Sequence, residues 1–265
     1  MKIALWQMRG SADIEANLAA ILAGMTEASG AGAELVLFPE YSMVWQASGS
    51  DQIIAAAEPL DGPFTSAVRA QAAHLGLPVV INVFERNEET GRPFNTLVAI
   101  DGSGEIAGVY RKVHLYNAFG FREDDSFTEG PDVAGTVVEL AGLRIGLQVC
   151  YDLRFPEGAR SVVDAGAELI IYPAAWVPGP MKEAHWAALL QARAIENTAY
   201  VAGPAMLYPA GSGGTRLVDP MGAVQGDLAE RAGMLLAELD PERLRQVRAK
   251  NPSLENRRYR VAPRD

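Results

Sequence analysis

Four apolar side chains stand side by side in the run Glu34-Leu35-Val36-Leu37-Phe38-Pro39-Glu40. A strand with one wet face alternates apolar and polar residues, whereas an unbroken run belongs to a strand buried on both faces. A fold that contains it needs cover above and below the sheet. The run stops abruptly in Pro39 and an acid, so Glu40 stands at a strand terminus where a site can form.

Further strands are expected at Ile3 to Gln7, Pro78 to Phe84, Thr96 to Ile100, Ile106 to His114, Thr136 to Leu140, Arg144 to Cys150, Leu169 to Pro173 and Tyr200 to Ala205. Helical spacing marks Asp13 to Ala28, with Ile14, Leu18, Ile21, Leu22 and Met25 on one face, and also Phe64 to Leu75, Pro156 to Ala165, His185 to Asn197 and Pro241 to Lys250. Strands and helices alternate, but turns at 101–104, 141–142 and 219–222 add antiparallel hairpins that a purely parallel doubly wound sheet does not accommodate. The expectation is an α/β fold, a four-layer α-β-β-α sandwich of two mixed sheets with outer helices. No linker-like composition shift or internal sequence repeat interrupts the chain, so residues 1–265 read as one domain with a polar, irregular tail from Asn251 to Tyr259.

Hydrophobic residues make up 49% of the chain and charged residues 21%, which supplies a large core and excludes a disordered or fibrous protein. A net charge of -10 argues against nucleic acid as a partner, because a phosphate backbone requires clustered Lys and Arg. No apolar run is long enough to span a bilayer, and Met1-Lys2-Ile3-Ala4-Leu5-Trp6-Gln7 lacks the features of a signal peptide. The single cysteine can form no internal disulfide. A cytoplasmic location with a reduced thiol is expected.

That cysteine ends an apolar stretch, Arg144-Ile145-Gly146-Leu147-Gln148-Val149-Cys150, and is followed by Tyr151-Asp152-Leu153-Arg154-Phe155-Pro156-Glu157. A reactive thiol needs access, a base and a neighbouring cation, and two other strand ends offer these as Glu40 and Lys112. The carboxylate can accept the thiol proton, while the ammonium is expected to lower the thiol pKa and hold an oxyanion. Taken singly, Cys150 suits a small buried hydrophobe, Glu40 a capping acid and Lys112 a solvated strand charge. The three histidines, His74, His114 and His185, form no recognisable histidine motif for papain-type chemistry, and with one cysteine they make a poor zinc set.

Three motifs in order give these residues joint meaning: Phe38-Pro39-Glu40, Tyr110-Arg111-Lys112-Val113-His114-Leu115 and Cys150-Tyr151-Asp152-Leu153-Arg154-Phe155-Pro156-Glu157. Together with Asn256-Arg257-Arg258-Tyr259 they resemble the nitrilase superfamily of carbon-nitrogen hydrolases over essentially the whole chain. The resemblance implies a second glutamate after the lysine, four positions before an aromatic and seven before a glycine. Glu123 fits, with Phe127 and Gly130, better than Glu129. Its implied role is to orient Lys112 or to support proton transfer to the substrate nitrogen; the alternative is a solvated loop acid.

The resemblance also implies that Glu40 deprotonates Cys150, that Lys112 and the Tyr151 N-H hold the oxyanion, and that neither metal nor organic cofactor takes part. The Cys-Tyr-Asp-Leu-Arg-Phe-Pro sequence resembles the amidase-like Nit and omega-amidase branch. A small aliphatic or omega-amide is thus the expected substrate, with N-carbamoyl hydrolysis the first alternative, a nitrile the next, and a non-catalytic binding module of another class argued against by the intact set. Arg154 suits either a substrate carboxylate or a local acid such as Asp152 or Glu157. Tyr41, Tyr116, Phe119 and Trp176 stand as pocket walls or as core. The helices from Phe155 and His185 are expected to contribute to a homodimer or higher homo-oligomer.

Overall fold

The computed structural model describes residues 1–45, 50–131 and 135–263. Its strands are β1 (Lys2–Gln7), β2 (Leu35–Leu37), β3 (Val79–Glu85), β4 (Phe94–Ile100), β5 (Ile106–Arg111), β6 (Thr136–Leu140), β7 (Leu143–Leu147), β8 (Leu169–Ile171), β9 (Tyr200–Gly203), β10 (Arg216–Val218), β11 (Val224–Asp227) and β12 (Gly233–Glu238). Its helices are α1 (Ile14–Gly30), α2 (Ser50–Ala56), α3 (Pro63–Leu75), α4 (Pro156–Asp164), α5 (Lys182–Asn197) and α6 (Pro241–Lys250).

Two six-stranded sheets run in the orders β12-β1-β2-β3-β4-β5 and β6-β7-β8-β9-β10-β11. Read in those orders, each follows the same sequence of pairings: antiparallel, parallel, parallel, antiparallel, antiparallel. A topological repeat therefore exists where the sequence shows none.

The unbroken apolar runs follow from this layering. Leu35, Leu37 and Val80 face inward and share one core with Val138, Ile145 and Leu147 of the other sheet. Val36, Val79 and Ile81 face outward against Ile21 and Met25 of α1 and Val68 and Ala72 of α3. Val162 of α4 and Leu190 and Ala194 of α5 cover the second sheet. The result is the expected α-β-β-α sandwich. Helix ends are set locally: the Asp13 side chain accepts from the Ala16 N-H at 3.0 Å to start α1, and Gly76 at φ 62° closes α3 in the left-handed region that glycine tolerates.

Several boundaries differ from expectation. Strand β5 stops at Arg111, and His114 is diverted because its N-H donates to the Asp152 carboxylate at 3.2 Å. Strand β7 stops at Leu147, because Cys150 opens a short 3-10 helix, Cys150–Arg154, at φ 44° and so cannot continue a strand. Helix α5 begins at Lys182, a turn earlier than the apolar spacing indicated. Strand β12, absent from the sequence reading, returns to complete the first sheet beside β1. Among the described residues no helix is long and apolar enough to cross a membrane.

Leu37 lies fully buried between the two sheets. Truncation by Leu37→Ala is expected to lower the unfolding free energy by about 2–5 kcal/mol. Urea titration checks this as a fall in midpoint at unchanged slope.

Candidate active site

The ends of β2, β5 and β7 converge, and they bring Glu40, Lys112 and Cys150 together. Lys112 follows β5 directly; its N-H donates to the Asn95 carbonyl and its carbonyl accepts from the Gly130 N-H, both at 2.8 Å. Gly130 is needed there, since a Cβ would lie 2.2 Å from the Arg111 carbonyl oxygen. Strand backbone thus fixes where the lysine starts. Its ammonium donates to Glu40 Oε1 at 2.8 Å, to Glu123 Oε1 at 3.0 Å and to Glu123 Oε2 at 2.8 Å.

Glu123 is no solvated loop acid. Only 2% exposed, it sits in a 3-10 turn, Glu123–Asp125, and accepts from the Tyr116 N-H at 2.6 Å as well as from Lys112. Glu129 is exposed. Two residues missed in the sequence complete the support. Asn95 Nδ2 donates to Glu40 Oε1 at 2.9 Å and to Glu123 Oε1 at 3.1 Å, while Asn82 Nδ2 donates to Asn95 Oδ1 at 2.6 Å. Their signal was an amide within an otherwise apolar buried strand, which demands a buried partner. Asn82 Oδ1 accepts from the Tyr41 N-H at 2.8 Å, holding Tyr41 at φ 60°.

Cys150 occupies the first turn of its short helix in a left-handed conformation that costs a non-glycine residue roughly 1–3 kcal/mol. Its N-H donates to the Pro173 carbonyl at 3.0 Å. Asp152 secures the turn: its carboxylate accepts from the Val149 N-H at 2.8 Å and the Tyr110 hydroxyl at 2.8 Å, and lies 2.7 Å from His114 Nδ1. The same side chain therefore ties the thiol's turn to the strand that carries the lysine. His114 stacks on Phe155 with ring centroids 3.8 Å apart, and its place beside Asp152 is not that of a papain-type base.

The thiol hydrogen-bonds Glu40, whose Oε2 also accepts from the Ala175 N-H at 2.9 Å. Burial, and then the Glu40 charge, push the Cys150 pKa well above the ordinary thiol value; Lys112 pulls it down but is outweighed. Lys112 thus acts on the thiol in the expected direction, but burial first and the Glu40 charge second outweigh it. Burial opposes the Lys112 charge, yet Glu123 and then Glu40 outweigh it and raise its pKa well above the ordinary lysine value. Lys112 lies between two acids, close to the buried thiol.

These groups open on a cavity of about 370 Å³, and Tyr41, Tyr116, Tyr151, Arg154 and Trp176 all line it. Arg154 does not pair with Asp152 or Glu157: its Nε and Nη2 are buried without a hydrogen-bond partner, and its guanidinium lies 4.8 Å from the Trp176 ring centroid. Phe119 stands at the rim, 73% exposed. Sequence reasoning missed Lys182, which also lines the cavity. Among the described residues no group of three or more His, Cys, Asp or Glu side chains could hold a metal ion.

Asn95 offers a test of this network by substitution. Asn95→Ala removes donors to two carboxylates and is expected to cost about 1.5–3 kcal/mol of stability. Asn95→Asp adds a third acid beside them, so the new carboxyl titrates higher folded than unfolded. Its stability relative to Asn95→Ala should then be greatest at low pH and be lost as pH rises through the folded value, which urea unfolding across pH measures.

Comparison with known proteins agrees with the geometry. A family model described as carbon-nitrogen hydrolase matches residues 2–249. The chain is 34% identical to a deaminated glutathione amidase of Escherichia coli O157:H7 over 98% of both chains. It superposes on Saccharomyces cerevisiae Nit3, of branch 10 of the nitrilase superfamily, with a TM-score of 0.87 and 26% identity over 98% of this chain and 97% of that one. A mutant amidase from Nesterenkonia sp. AN1, in which acrylamide has undergone Michael addition at the active-site cysteine, aligns at TM-score 0.80 and 31% identity over 94% and 97% of the two chains. Sequence, fold and the convergence of strand ends agree: this chain belongs to the carbon-nitrogen hydrolase family of the nitrilase superfamily.

Proposed function

We propose that the chain is an amidase that hydrolyses small aliphatic or omega-amides, those bearing a carboxylate foremost, to acid and ammonia. The observation that carries this reading is Arg154, a guanidinium on the cavity wall with buried N-H groups that no protein acid satisfies. A substrate carboxylate supplies what it lacks, in the bidentate geometry that guanidinium favours. The N-carbamoyl amino acid alternative places a carboxylate equally well and remains the second reading; a nitrile gives Arg154 no such role.

In the proposed mechanism the Glu40 carboxylate takes the Cys150 proton as the sulfur adds to the amide carbon. The resulting oxyanion is held by Lys112 and the Tyr151 N-H, which in the first turn of its short helix has no partner within that helix. Glu40 returns the proton to nitrogen, the C-N bond breaks and ammonia leaves a thioester. Glu40 then deprotonates water, which attacks the thioester and releases the acid and the Cys150 thiol. Glu123 orients Lys112 and no cofactor is called on. The same reading makes residues 1–265 one cytoplasmic hydrolase unit and pairs two copies through α4 and α5, where Ile195 is 51% exposed.

Ammonia release from a panel of omega-amides, N-carbamoyl amino acids and nitriles tests the assignment; fastest turnover of a nitrile overturns it. Cys150→Ala should abolish hydrolysis, and Arg154→Met should raise KM for carboxylate-bearing amides roughly tenfold or more, the worth of a charge-assisted pair. Glu40→Gln provides a sharper check. Removing that negative charge lowers the thiol pKa even as hydrolysis is lost. With one cysteine in the chain, thiolate ultraviolet absorbance reads the shift directly: it should develop at lower pH in the variant than in the native protein.

A further inference from the structure

Lys182 has no part in the mechanism above, yet it is built into the same cavity. Its side chain is buried, 6% exposed, at the first residue of α5. The Lys182 N-H donates to the Gly179 carbonyl at 3.0 Å, and the Lys182 carbonyl accepts from Trp176 Nε1 at 2.7 Å, so the backbone is held on both sides. Gly179 leaves space for the stem, since a Cβ there would lie 3.1 Å from Lys182 Cδ. The ammonium donates to the Tyr116 hydroxyl at 2.7 Å and lies 4.6, 5.3 and 5.8 Å from the ring centroids of Tyr116, Phe119 and Trp176.

Arg154 lies over two of the same rings, 4.8 Å from the Trp176 centroid and 5.8 Å from that of Phe119. Two cations thus share one aromatic wall, and among the described residues neither forms an ion pair. The acids of the cavity, Glu40 and Glu123, are occupied by Lys112 and Asn95. Like charges held close in a half-dry pocket are unfavourable unless an anion joins them.

We propose that Lys182 is a specificity-determining residue, a second anion-binding point that selects amides carrying two anionic groups, one received by Arg154 and the other by Lys182. The inference rests on the amidase reading and narrows its substrate class. Tyr116 completes the point: its hydroxyl accepts from Lys182, which leaves its own O-H available to donate to the same anion. Burial holds the Lys182 pKa below the ordinary lysine value, the condition of an ammonium that lacks a counter-ion.

The test compares glutaramate, which has one carboxylate, with the monoamide of tricarballylic acid, which has two, in the native enzyme, Lys182→Met and Lys182→Arg. Native kcat/KM should favour a two-carboxylate compound. Lys182→Met should reduce that preference roughly ten- to hundredfold, chiefly through KM, and Lys182→Arg should restore much of it. Calorimetric binding of the product anions, glutarate against tricarballylate, gives a readout independent of turnover and of any loss of folding, which circular dichroism monitors. Hydrolysis of glutaramate with no preference for a second carboxylate overturns the role of Lys182 and leaves the amidase reading intact. No hydrolysis of any amide, with tighter tricarballylate binding that depends on Lys182, overturns the amidase reading and leaves the anion point standing. Equal effects of Lys182→Met on both anions overturn the proposal outright.

Discussion

A buried ionic cluster governs the architecture around it. Glu40, Lys112 and Glu123 are 1%, 2% and 2% exposed, and they meet within hydrogen-bond distance at the junction of two sheets. Taking three charges out of water costs several kcal/mol for each ion, and the loss is offset only if every lone pair and proton has a partner. The surrounding residues supply those partners. Asn95 bridges the two acids, Asn82 orients Asn95, the Tyr116 N-H and the Ala175 N-H complete the carboxylates, and the thiol faces what remains. Cys150 and Ala175 come from the second half of the chain and the other groups from the first, so the cluster also bridges the two halves.

The topological repeat clarifies that arrangement. In the matched strand orders β1 corresponds to β7 and β2 to β8. Cys150 follows β7 and Glu40 follows β2, so the two groups come from non-equivalent strands of the two sheets. Each is steadied by the segment after β8: Pro173 accepts the Cys150 N-H, and Ala175 donates to Glu40. One half carries the thiol and the other its base, while a single stretch of backbone sets the distance between them.

The layered fold and the convergence at three strand ends were legible in the sequence for a definite reason. Runs such as Leu35-Val36-Leu37 report burial on both faces directly, and a charged residue just past such a run has nowhere to go except a site. Glu123 needed the family pattern to separate it from Glu129, because nothing local distinguishes an acid that folds inward from one that stays wet. Strand β12 was illegible since its alternating, half-exposed residues acquire meaning only through pairing with a strand 230 residues away. Lys182 was equally silent: a lysine opening a helix ordinarily faces water, and only tertiary contact with Trp176 and Tyr116 turns it inward. The direction of the thiol's shift was hidden too, because it is set first by how deeply the folded chain buries Cys150 and then by how close Glu40 lies.

The pairing of Lys2 with Glu238 at the edge of the first sheet has a consequence for how the molecule is made. At about 5–20 residues per second, β1 waits roughly 10–50 s during synthesis for its neighbour β12. During that interval one edge of β1 remains unpaired, with Ile3, Ala4 and Leu5 destined for full burial. The early sheet is thus a nascent-chain intermediate with an adhesive border. Whatever shelters that border during translation governs the yield of soluble protein, independently of how stable the finished fold is.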